Sequence, residues 1–188
     1  AEVVRRRRFT QRTPDVAAIQ ALIALRRGDL EGAQALAAAH GLPLIEARVH
    51  LFQGDAPAAL ALLEPLRGQA EAEGWVDERL PVMVLQALAL HAQGGEEAAL
   101  RLLQAALQAA EPAGLIRVFV DEGAPMAQLL QAAAKRGVMP AYTAALLGAL
   151  AAEGQKPGPD RLPPAGAVRT QGTDGMGDQL REPLSERE

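Results

Sequence analysis

The chain has 188 residues, 49% of them apolar, 22% charged and 3% aromatic, which suits one or two compact domains. The apolar half is mostly alanine and leucine with few β-branched residues, so an all-β fold is excluded and helix is favoured. No cysteine is present, which removes disulfides and thiolate chemistry, and the net charge of −4 opposes nucleic-acid binding.

Arg5 to Arg8 form the one basic cluster, read as the solvated end of a preceding helical segment over residues 1–13. Thr13-Pro14 marks a helix start, because threonine can cap and proline at the first position gives up no needed hydrogen bond. Periodicity through Val16, Ile19, Leu22 and Ile23 predicts a first helix to Arg26, ended by Gly28. A second helix runs from Asp29 or Leu30 to about Ala39, closed by Gly41, and a third from Pro43 through Ile45, Val49 and Phe52 to Gly54. Asp55-Ala56-Pro57 opens a fourth, reaching Glu73 and stopped by Gly74. The fifth spans Asp77 to Gln93 with Pro81 in its first turns, and Gly94-Gly95 breaks it. The sixth covers Glu96 to Ala110 and stops at Glu111-Pro112-Ala113-Gly114. Leu115 to Val120 alternates weakly, but with no second strand to pair with it is read as a short helical or irregular connector. Two further helices are predicted over Pro125–Lys135 and Pro140–Ala152, separated by Gly137. From Gly154 to Pro183, 11 of 30 residues are glycine or proline, so this stretch is expected to be a flexible linker that buries too little to offset its ordering entropy.

Aligning the glycine breaks uncovers a repeat. Ala21, Gly28 and Ala33 recur as Ala47, Gly54 and Ala59, and again as Ala87, Gly94 and Ala99, with the same internal offsets each time. The first alanine admits a partner helix, the glycine makes the turn, and the second alanine packs back into the first helix. Leu63 and Leu103 fall at the next core position, where the first unit has Ala37. The pattern resembles the tetratricopeptide repeat, although the unit spacings are irregular and Gln20, Glu46 and Gln86 stand where a leucine is usual. The expected fold is all-α: a TPR-like helical-hairpin solenoid of about eight helices over residues 14–153, with a disordered C-terminal tail.

First helices of such an array line its concave face. In the repeat frame Asp15, Arg48 and His91 are the polar candidates there for a ligand or partner, beside Leu22, Leu51 and Leu88. His40, His50 and His91 match no metal-ligand spacing, and no metal is expected. No serine precedes Ser185, the only threonine within the predicted helices is Thr143, and acidic neighbours such as Asp121-Glu122 diverge by about 100° on a helix, so no enzyme is expected. Asp121-Glu122 is read instead as negative charge facing the dipole of the helix near Pro125. No apolar run is long enough for a bilayer and no apolar leader opens the chain, so a cytoplasmic protein without membrane contact is expected.

Two stretches carry a family resemblance. The run from Val84 through Gly94, Ala98-Ala99-Leu100 and Ala110-Glu111-Pro112-Ala113-Gly114 leads into Arg117-Val118-Phe119-Val120-Asp121-Glu122-Gly123. This R-x-F-x-D-E-G segment resembles the C-terminal helical-repeat region of large LuxR-type regulators of the MalT kind, with Arg117, Phe119, Asp121, Glu122 and Gly123 as the motif. The terminus, Pro183-Leu184-Ser185-Glu186-Arg187-Glu188, is similar to the opening of a LuxR-type helix-turn-helix, with Ser185 as N-cap and Glu188 three residues on. The resemblance implies a ligand- or partner-sensing fragment of a transcriptional regulator, truncated at residues 184–188. It implies a small-molecule inducer or regulatory protein as partner, DNA contact only through a missing C-terminal domain, and a possible homo-oligomer of the full-length protein. No cofactor is expected in this chain, ATP belonging to a missing N-terminal module. The alternative is a TPR-type protein–protein scaffold with no small-molecule ligand.

Overall fold

Gly28, Gly54 and Gly94 take positive φ of 78°, 79° and 81° in the computed structural model. The structure describes residues 16–155, apart from residue 75 and the side chains of residues 76, 77 and 155. Each glycine lets the next residue donate its N–H to the carbonyl five positions back: Asp29 to Ala24 at 2.9 Å, Asp55 to His50 at 2.8 Å and Gly95 to Leu90 at 2.9 Å. This closure satisfies a helix-end carbonyl, and a left-handed backbone suits glycine because it carries no Cβ. Three turns of one geometry therefore reverse the chain at the three places the repeat predicts.

The helices follow in chain order: α1 over the described residues 16–26, α2 Leu30–His40, α3 Pro43–Phe52, α4 Ala56–Glu73 and α5 Val76–Ala92. Then come α6 Glu96–Ala110, a 3-10 turn at Glu111–Ala113, α7 Arg117–Val120, α8 Ala124–Lys135 and α9 Pro140–Gln155. Every regular element among the described residues is helical. Asp29 and Asp55 cap α2 and α4 by accepting from the amides of Gly32 at 2.9 Å and Ala58 at 3.1 Å, as short acidic side chains at this position do. Gly95 takes that place before α6, where no side chain caps.

Ala21, Ala33, Ala47, Ala59, Ala87 and Ala99 are all fully buried, as are Ala37, Leu63 and Leu103. Small residues at these crossings let successive helices approach closely. Helix α5 lies at the centre, packed against α3, α4, α6, α7 and α8, so Val82 to Ala89 are buried without interruption. Within that run Gln86, at the position where a leucine is usual, is 2% exposed and donates to Glu64 Oε2 at 3.0 Å. Ala21, Leu25, Ala33, Ala37, Ile45 and Val49 form a smaller core that ties α1, α2 and α3 together.

The short connector expected at 115–120 is α7, a four-residue helix, and with it the described residues hold nine α-helices. One expectation changes. The last helix continues through Gly154 to Gln155, past the expected domain end at 153. The expectations for residues 1–13, Asp15, the linker from residue 156 onward, the tail and Ser185 lie outside the described residues.

Candidate functional site

The segment 117–123 folds back on the array. Phe119 is fully buried and meets Tyr142 of α9 edge-on, with ring centroids 6.4 Å apart, which anchors α7. Gly123, with φ 66° and ψ −138°, ends the turn at the N-cap position of α8, a backbone region that side chains with a Cβ avoid. The anchor and the glycine present the two intervening carboxylates to arginines of much earlier helices. Glu122 accepts from Arg48 Nε at 3.1 Å and from Arg48 Nη2 at 2.5 Å, with the two side chains 8% and 16% exposed. Asp121 accepts from Arg26 at 3.0 Å and also from Arg117, whose other nitrogen donates to Glu153 at 2.8 Å.

Three cavities meet at this joint. The largest, about 450 Å³, lies among α1, α3, α4 and α5 and is lined by Leu22, Leu42, Ile45, Leu66, Val82 and other apolar residues, with Arg48, Gln69 and Glu78. A second of about 310 Å³ is lined by Arg48, Leu51, Phe52, Leu88, Ala92, Glu122 and Pro125. A third of about 140 Å³ lies between Leu22, Arg26, Arg48, Phe52, Pro81 and the Asp121–Glu122 turn. Arg48 borders all three. The 450 Å³ space falls within the roughly 300–1,000 Å³ of small-molecule sites.

A family model of the MalT-like TPR region matches residues 1–136. The chain belongs to this family. The match runs through α1–α8, including the 117–123 segment. No curated protein and no solved structure matches the chain.

In this MalT-like TPR region the three residues expected on the inner face part company. Arg48 stands at the junction of the cavities, together with the expected neighbours Leu22, Leu51 and Leu88. His91 is half-buried near the end of α5 and borders none of the three cavities. Asp15 lies outside the described residues. Asp121 and Glu122, read from the sequence as charge facing the α8 dipole, stand just before that helix, and both carboxylates are also held by guanidinium groups, which bind them more strongly than a helix end does. Arg26, Gln69 and Glu78 were not singled out from the sequence; Glu122 was, as a motif residue, but not its pairing with Arg48. Thr143 is fully buried and its hydroxyl donates to the Val138 carbonyl at 2.8 Å, a structural bond. Among the described residues no group of three or more His, Asp or Glu side chains is placed to hold a metal, and no helix is long and apolar enough to cross a membrane.

Proposed function

We propose that this MalT-like TPR region is the sensing part of a LuxR-type transcriptional regulator, in which a small-molecule inducer occupies the space around Arg48 and shifts a conformational equilibrium. The observation that carries the reading is the convergence of three cavities on one arginine held by the turn between α7 and α8. A ligand there touches first helices of the array on one side and the 121–122 turn on the other. It therefore has a way to favour one arrangement of that turn, which any ligand-driven shift requires. A differential affinity of about 1.4 kcal/mol between the two arrangements changes their ratio tenfold.

In this reading the regulator acts in the cytoplasm by binding and not by catalysis, and residues 184–188 open its DNA-binding domain. Calorimetric titration of the chain with sugars, nucleotides and lipids tests it. The expected result is one class that binds, with affinity reduced about tenfold or more in Arg48→Ala, because breaking the buried pair frees the turn that borders the site. A ligand indifferent to Arg48→Ala would move the site elsewhere. Absence of any binding heat, with a protein partner recovered in a pull-down, would favour the TPR-type scaffold.

A further inference from the structure

The charge balance of the 450 Å³ cavity narrows the chemistry of what can enter it. Its described lining is aliphatic apart from Arg48, Gln69 and Glu78. The positive charge of Arg48 is already cancelled, since Glu122 takes both Nε and Nη2 in a pair that is nearly withdrawn from water. A carboxylate ligand would have to pull Arg48 away and leave Glu122 buried without a counter-charge, a costly arrangement. Glu78, in the first turns of α5, is exposed at the cavity and has no ion pair among the described residues. With Arg48 and Glu122 cancelling, the described lining carries one uncompensated negative charge.

We infer that the 450 Å³ cavity takes an aliphatic cation, a molecule with a hydrocarbon body and a single ammonium head, with Glu78 as the counter-charge. The inference rests on the sensing reading above and adds the ligand class to it. The hydrocarbon body displaces water from Leu22, Leu42, Ile45, Leu66 and Val82, while the head stays near the mouth beside Glu78. A neutral alcohol of the same length gains only the apolar part. An anion meets Glu78 with the wrong sign.

Three probes of one length test this on the full chain: octyltrimethylammonium, octanol and octanoate, titrated calorimetrically below the concentrations at which they form micelles. The cation is expected to bind about fivefold more tightly than the alcohol, the scale of an exposed ion pair, and octanoate more weakly than either. Shortening the cation from eight carbons to six should weaken it by roughly tenfold, as loss of two buried methylenes predicts. Glu78→Gln should bring the cation down to the alcohol's affinity and leave the alcohol unchanged, whereas Glu31→Gln, on α2, should alter neither. Octanoate binding as tightly as the cation, an unaffected cation in Glu78→Gln, or no binding by any octyl probe would each overturn the inference. A sugar, nucleotide or lipid that binds in an Arg48-dependent way while all three octyl probes fail would overturn it and leave the sensing reading intact.

Discussion

Glu122 grips Arg48 with both carboxylate oxygens, at 3.1 and 3.3 Å from Nε, although 74 residues separate the two in sequence. One neighbouring pair has the same signs but a different setting: Arg26 and Asp121 are 60% and 38% exposed. A half-solvated pair gains little, whereas breaking a buried pair strands a charge. Arg48→Ala is therefore expected to cost about 3–5 kcal/mol of unfolding free energy. Arg26→Ala should cost at most about 1 kcal/mol. Urea denaturation checks both. The double change Arg48→Met with Glu122→Leu should recover much of the loss, and equal losses from the two single arginine changes would contradict this account.

The six buried alanines of the repeat supply a packing test. Ala59 and Ala99 have no exposed surface, so leucine there should overpack the crossings by about 1–3 kcal/mol. Ala72 is exposed on α4, and leucine there should change stability by less than about 0.5 kcal/mol. Equal shifts in melting temperature for the buried and exposed sites would contradict the frame.

The third turn invites a repair. Gly95 has φ −77° and ψ 54°, close to the backbone of the capping residues Asp29 and Asp55, but offers no side chain. A Cβ there would lie 3.2 Å from the Leu90 carbonyl oxygen, a contact that needs a shift of a few tenths of an ångström. Asn supplies the capping oxygen without adding charge beside Glu96 and Glu97. Gly95→Asn is expected to stabilise by about 0.5–1 kcal/mol, from the cap and from the reduced freedom of the unfolded chain. A lower melting temperature would mean that the carbonyl contact outweighs the cap.

Tyr142 links stability to alkaline pH. Burial first, and then the negative charge of Glu111, raise its pKa above the usual 10.0. Its hydroxyl donates to the Leu115 carbonyl at 3.0 Å. Since the folded-state pKa is the higher one, this group's contribution is complete below pH 10 and declines as pH rises from there through the folded value. The stability gap between the native chain and Tyr142→Phe should narrow as pH rises above 10, read from urea midpoints. A constant gap would remove Tyr142 as the cause.

Much of the array was legible because its construction is local. Alanine and glycine at fixed offsets encode close approach and reversal within one hairpin, and all nine of those positions behave as the pattern predicts. Arg48 was also legible as an inward residue, since its place in the frame matches Leu22 and Leu88. Its partner was not, because pairing across 74 residues leaves no periodic trace. Asp121 and Glu122 sit just before a helix, where a local rule about dipoles competes with an arginine that only the tertiary fold delivers. His91 shares the frame of the inner face, yet near the end of α5 it borders none of the three cavities around Arg48. Gln86 departs from the repeat at a core position, and its match to Glu64 on the adjacent α4 depended on how α4 and α5 meet.

The fold-back of residues 117–123 alters how the array answers a force. Stacked hairpins that touch only their neighbours flex like a spring, each joint yielding a little. Here Arg26–Asp121 and Arg48–Glu122 run across the turns as cross-ties, and Arg117–Glu153 braces the block they are tied to. Small strains are then borne chiefly by the buried Arg48–Glu122 pair, which holds or releases as a unit, so bending is resisted until that tie opens. A body built this way responds to load by a threshold rather than in proportion.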